Sequence, residues 1–363
     1  MFIFHIPRMN SLIPRRGLLL RGLFLLPLFL LGGCDLVLLN PSGDIAAQQG
    51  RLIVVSTLLM LLVIVPVIIL TLIFAWRYRK NNTSAEYDPD WDHSTKLELI
   101  IWGGPLLIVI VLGLITWVST HQLDPYRPLE RLDANRPISA AAEPLTIEVV
   151  ALDWKWLFIY PEQGIATVNE LATPIDVPVR FKLTASTVMN SFYIPELAGQ
   201  IYSMPGMETQ LNAVINKPVE SEGFSANYSG AGFSHMRFKY HGMDVADFDN
   251  WIKKVKAEGG TLDRTAYMEL EKPSEREPVT YYKTVSSDLY GAILNRCVEA
   301  GTVCMDQMMR DDARRAKTAP RKGAKEEAVT DAKQESHNEA ADHTAAHSET
   351  AEVAAKHTHS HKD

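Results

Sequence analysis

Few side chains in these 363 residues have the type and setting to do chemistry, and each admits more than one role. The three cysteines are Cys34, Cys297 and Cys304, too few for a disulfide framework and wrongly spaced for a zinc ribbon. Cys297 and Cys304 form a C-x6-C pair: a local disulfide in an oxidising compartment, or two independent thiols. Histidines His337, His343, His347, His357, His359 and His361 lie in a polar tail, where such residues are more often solvated than metal-bound. His235 and His241, with Met204, Met207 and Met236, include ligand types that copper accepts. Adjacent residues of a strand point to opposite faces, so His235 is misdirected if Met236 faces a site, and packing roles are expected. Glu98, in Lys96-Leu-Glu98-Leu-Ile-Ile-Trp102, is an ionisable group at the edge of an apolar run and so a candidate for proton handling. Its competing role is an interfacial carboxylate paired with Lys96.

The elements that position these residues begin with an export signal. Arg8, Arg15, Arg16 and Arg21 precede the apolar run Leu23 to Leu31, then come Gly32-Gly33 and Cys34. The run is shorter than the roughly 20 residues that cross a bilayer. Leu31-Gly32-Gly33-Cys34 resembles the bacterial lipoprotein signal, which implies removal of residues 1–33 and acylation of Cys34. Asp35 resembles the signal that retains lipoproteins in the inner membrane.

Residues 34–50 are then a periplasmic N-terminal segment. Leu52 to Trp76 carries no charge, and a membrane helix is expected over 51–77, with Pro66 tolerated inside it. A second follows over 97–120, with Trp102 and Trp117 as interfacial aromatics. The intervening loop, 78–96, follows Arg77 and bears Arg79, Lys80 and Lys96, whereas Arg51 is the one fixed positive charge just before the first span. The positive-inside rule places that loop in the cytoplasm and everything after Thr120 on the periplasmic side of the inner membrane.

A Pro-punctuated linker, 121–144, leads to runs at sandwich-like spacing (Leu145 to Tyr160, Val177 to Thr184, Gln210 to Ile215), so 145–243 reads as an all-β domain. Phe248, Trp251, Ile252 and Val255 form a helical stripe that opens a helical region over 244–310. Residues 311–363 show no periodic apolar face and read as a disordered tail. The net charge of -7 averages a membrane part with a charged tail, and no nucleic-acid partner is expected.

The run Ala151-Leu-Asp-Trp154-Lys-Trp156-Leu-Phe-Ile-Tyr160 resembles the aromatic strand of haem-copper oxidase subunit II, and Val188-Met-Asn190-Ser-Phe-Tyr-Ile-Pro195 resembles its first copper-ligand segment. With the membrane hairpin and Tyr228-Ser-Gly-Ala-Gly232-Phe-Ser-His-Met236, the resemblance covers the chain from Cys34 to about Ser287. It implies two transmembrane helices followed by a cupredoxin-like Greek-key sandwich with C-terminal helices. Cytochrome c oxidases of this family hold two coppers with a His from the first segment and a C-x-x-x-C-x-x-x-H-x-x-M run. At those positions stand Asn190, Tyr228, Gly232, Met236 and Lys239, so no ligand side chain remains in place.

That loss marks the quinol-oxidising, cytochrome bo-type branch of the family. The resemblance implies a subunit with no redox centre of its own, haem and copper in a partner subunit I, further partners III and IV, membrane lipid around it, and ubiquinol oxidised by the complex. An acid at the place of Glu98 lies, in the family, near a proton entrance of subunit I. The rival readings are a cytochrome c oxidase subunit II, against which the missing ligands stand, and a copper-delivery lipoprotein, which would not need two spans.

Overall fold

The computed structural model describes residues 37–83, 90–139 and 142–318. The chain divides into two units, residues 1–302 and 303–363. The first opens with a short 3-10 turn, Val37–Leu39, and then two long helices, α1 (Asp44–Arg77) and α2 (Thr95–Gln122). Both are apolar enough to cross a membrane, and nearly all side chains of their apolar stretches are exposed. Asp44 in the first turn of α1 and Arg77 in its last oppose the helix dipole.

At 1.5 Å per residue, the 34 residues of α1 exceed a hydrocarbon core of roughly 30 Å. The surplus lies at its start. The helix was expected from residue 51, but it begins at Asp44, because residues 44–50 pack on protein: Asp44, Ala46 and Gly50 are buried.

The linker contributes a two-stranded ribbon, β1 (Arg131–Asp133) and β2 (Arg136–Pro137). The sandwich strands are β3 (Leu145–Leu152), β4 (Lys155–Tyr160), β5 (Ile165–Val168), β6 (Glu170–Pro174), β7 (Val179–Ala185), β8 (Asn190–Ile194), β9 (Ala198–Ser203), β10 (Thr209–Ala213), β11 (Val219–Ser225), β12 (Arg237–Met243), β13 (Gly260–Leu262) and β14 (Thr280–Val285). One sheet runs β10-β7-β3-β4-β5-β14-β13 and the other β6-β12-β11-β8-β9. Between them Phe192 and Phe238 stack 5.5 Å apart, with Trp156 edge-on to both.

The larger sheet is covered on its outer side too. Val150, Leu152, Leu157 and Ile159 pack there with Tyr267 of α4 (Arg264–Glu271) and with Leu289 and Ile293 of α5 (Leu289–Leu294). Burial on both faces explains why β3 and β4 read as nearly continuous apolar runs. A further helix of this unit, α3 (Val245–Glu258), presents the expected stripe, burying Phe248, Trp251 and Val255.

Two boundaries move. Region 244–310 was expected to be helical, yet it supplies β13 and β14 to the larger sheet, β14 pairing antiparallel with β5. Thr280-Tyr-Tyr-Lys-Thr-Val285 has strand propensity, but only its pairing with β5 makes it a strand. In the second unit, helix α6 (Met305–Thr318) continues past the tail boundary expected at 310. Ion pairs Arg310–Asp306, Arg314–Asp311 and Arg315–Asp312 support it, and none of its described side chains is buried.

Candidate functional site

The two segments matched to a copper site do lie side by side. Asn190 opens β8 and is buried; its Oδ1 accepts a 3.0 Å bond from Ser225 Oγ, and its Nδ2 donates to Val188 O at 3.2 Å. The loop after β11 is pinned to the same segment, Ala226 N donating to Ser191 O (2.9 Å) and Asn227 Nδ2 to Met189 O (3.3 Å). These bonds hold the two segments side by side.

The side chains at the five matched positions do not converge. Tyr228 is 76% exposed and turns its ring onto Phe233, 5.6 Å away. Met236 is fully buried in the core of the sandwich, while Lys239 is exposed on β12. A carboxamide, a phenol, a core thioether and an outward ammonium, with a glycine in the fifth place, do not fit two coppers, which need converging thiolate, imidazole and thioether.

The space is also filled. Trp154 falls within the run read as an aromatic strand; instead it sits in the tight turn between β3 and β4 with φ +65, an uncommon conformation for a bulky residue. Its Nε1 donates to Ser229 O at 3.1 Å. A Cβ on Gly232 would lie 2.5 Å from Trp154 Cγ and Cδ2 and 2.8 Å from Glu275 Cγ. The indole and the loop behind it therefore occupy the volume that a side chain at residue 232 would need.

That loop, residues 272–278, closes over the site from the C-terminal region. Lys155, almost wholly buried, donates from Nζ to Lys272 O (2.7 Å) and Ser274 Oγ (2.5 Å). Burial lowers the Lys155 pKa, partly offset by the nearby charges of Glu277 and Asp153. Asn169 Nδ2 donates to Glu277 O at 2.9 Å. His235 lies in a 3-10 turn rather than a strand, with its ring 3.5 Å from Glu275 Oε2 and 3.0 Å from Arg276 Nη2. Its non-ligand reading stands on those partners rather than on strand alternation. His241, on β12, is 3.9 Å from Glu170 Oε2, and Met207 is exposed.

Glu98 lies in the first turn of α2, half-exposed, with Oε1 2.8 Å from His93 Nδ1. The partner expected from sequence was Lys96; the structure supplies an imidazole instead, a group able to exchange a proton with the carboxylate. Cys297 is buried just beyond α5, and Cys304 is half-buried in the second unit. Cys34 and the tail histidines lie outside the described residues. Sequence reasoning missed the plug made by Trp154 and loop 272–278. The available signal was the Asp153-Trp154 pair between two strand runs, at the place of a two-residue hairpin turn.

Sequence comparison with known proteins supports the resemblance. The family described as COX Aromatic Rich Motif matches residues 256–301, which include α4, β14 and α5. Subunit 2 of the cytochrome bo(3) ubiquinol oxidase of Pseudomonas aeruginosa is 52% identical over 277 residues, 76% of this chain and 81% of that protein. Ubiquinol oxidase subunit 2 of Acetobacter aceti is 49% identical, over 73% of this chain and 84% of that protein. Among solved structures, the periplasmic domain of cytochrome oxidase subunit II of Bradyrhizobium japonicum aligns over 33% of this chain and 98% of its own, with 20% identity and a TM-score of 0.31. Identity near one half across most of both chains decides the matter: this chain belongs to the subunit 2 family of the cytochrome bo(3)-type ubiquinol oxidases.

Proposed function

We propose that this chain is the non-redox second subunit of a proton-pumping oxidase that oxidises ubiquinol and reduces oxygen to water. Haem and copper belong to subunit I, which this chain braces together with subunits III and IV. The observation that carries the reading is the volume beside Gly232: the Trp154 indole stands where an ancestral thiolate side chain would start. The donor to the purified complex tests it. Ubiquinol should sustain oxygen consumption, and reduced cytochrome c should not. Turnover with cytochrome c, or two coppers per subunit in the separated chain, would refute it.

Topology and anchoring belong to the same proposal. The sandwich lies in the periplasm and loop 78–96 in the cytoplasm, as the Arg and Lys bias of that loop requires. Acylation of Cys34 is favoured by the path of the chain after it. Leu38 O packs so close to Gly50 that a Cβ there would lie 2.6 Å away, so the segment runs back along α1 toward its apolar stretch with Val37, Leu38 and Leu39 exposed. Cys297 and Cys304 pair as a disulfide in that oxidising compartment.

Glu98 is the proposed proton-entry group, supported by its exposure and its His93 neighbour at the end of α2 opposite the sandwich. Glu98→Gln should slow turnover severalfold while the complex assembles and binds ubiquinol as before. Unchanged turnover across the pH range would reduce Glu98 to an interfacial residue.

A further inference from the structure

One feature lies far from the vestigial copper site: a cleft where the sandwich end of α1 meets the end of α2. Its lower part, about 390 Å³, is lined by Arg51, Leu52, Val55, Ile115, Ser119 and Arg131 among others. Gln48, Gln122, Leu123 and Arg131 continue into an upper polar part of about 260 Å³. The cleft thus passes from apolar walls to guanidinium groups to amides along two turns of helix.

The charges are unevenly placed. Arg51 and Arg131 line the lower part, and no acid does. Asp44, buried behind Arg131, takes bonds from its Nε (3.0 Å) and Nη2 (3.3 Å), which fixes the guanidinium and leaves Nη1 unbonded among the described residues. Gln48 donates to the same carboxylate at 2.8 Å. The acids Asp124 and Glu130 line only the upper part, where Glu130 is held by Arg127 at 2.6 Å.

We infer that this cleft binds one anionic phospholipid of the outer leaflet, its phosphate between Arg51 and Arg131 and an acyl chain along Leu52, Val55 and Ile115. A phosphate is the group that two guanidiniums at a membrane surface recognise, and the apolar wall below them is what the attached chain needs. The polar upper part accommodates the glycerol headgroup. The inference rests on the membrane topology proposed above.

The test uses the purified oxidase complex, titrated with dioleoylphosphatidylglycerol against a phosphatidylcholine background and read by native mass spectrometry. The intact complex should retain one phosphatidylglycerol whose half-saturation rises about tenfold in Arg51→Gln. Val55→Trp should expel it, and Ile53→Trp, on the other side of α1, should not. Equal retention in Arg51→Gln and Val55→Trp, or no preference for phosphatidylglycerol over phosphatidylcholine, would overturn the site. Uptake that increases in Cys34→Ser would show the chain's own acyl group as occupant, and displacement by a short-chain ubiquinone would show a quinone; either overturns it. If carbonate washing releases the subunit from membranes, the topology fails and the site with it, whereas a retained subunit without lipid selectivity defeats the site alone.

Discussion

The two ends of strand β8 have been secured in different ways. At one end, the turn after Ile194 receives the start of α1 through main-chain groups: Gly43 N donates to Glu196 O at 2.8 Å, and Gly43 bridges to Ile215. Ser42 N adds a 2.8 Å bond to Glu196 Oε2, and Asp44 pairs with Arg131. At the other end, which begins with Asn190, the loops that would enclose a metal are held largely by side chains: the Trp154 indole, the Lys155 ammonium and the His235 ring. Backbone contacts cannot relax without moving strands, whereas side-chain contacts can change rotamer. The membrane end should therefore tolerate change less than the vestigial end.

Gly43→Val tests that difference with the largest effect. A Cβ at Gly43 would lie 2.7 Å from Leu197 O, 3.0 Å from Glu196 O and 3.0 Å from Val214 O, all backbone atoms. The substitution should cost about 3 kcal/mol, the upper range for overpacking, and lower the yield of assembled complex. Thermal unfolding of the complex measures it. A change below about 1 kcal/mol would mean that α1 is not locked to the sandwich.

Gly232→Val is expected to cost less, about 1–2 kcal/mol, because Trp154 and Glu275 can swing outward. Release of the indole from Ser229 O should shift tryptophan emission to the red. A cost equal to that of Gly43→Val would break the comparison and show the vestigial end to be equally rigid. The same geometry sets what copper reconstruction would demand. Restoring side-chain ligands at Asn190, Tyr228, Gly232, Met236 and Lys239 leaves Trp154 in the way, Met236 in the core and Lys239 facing out.

How far the sequence discloses this arrangement follows the same division. The helix pair, the sandwich and the loss of ligand types are legible because apolar runs, strand spacing and residue identity are local properties. The docking of residues 44–50 is not, since Asp44 and Arg131 lie far apart in the chain and the charge of Asp44 reads as a helix start. Nor is β14, whose pairing with β5 spans more than a hundred residues. The plug fails for a different reason. Trp154 in an aromatic strand motif predicts a strand, and only the positive φ at the turn turns its ring toward Gly232. Lys96 was the partner expected for Glu98, whereas its neighbour His93 sits before the helix start rather than on a helical repeat.

The smallest expected effect belongs to neither end and calibrates both. Glu148 on β3 lies in register with Lys182 on β7, and Lys182 Nζ is 4.0 Å from Glu208 Oε1. Burial pushes the Glu148 pKa up to about 7; Lys182 pulls it down and Glu208 pushes it further up. A carboxyl whose pKa is higher in the folded chain than in the unfolded one contributes most below the unfolded value of about 4.3, and that contribution is lost as pH rises toward 7. Glu148→Gln removes this loss. The variant should match the native chain near pH 4.5 and exceed it by about 1 kcal/mol at pH 8, a figure kept small because the carboxyl is partly exposed and solvent screens its charge. Unfolding of the complex at both pH values measures the difference. A variant less stable than the native chain at pH 8 would show that the pairing with Lys182 outweighs burial.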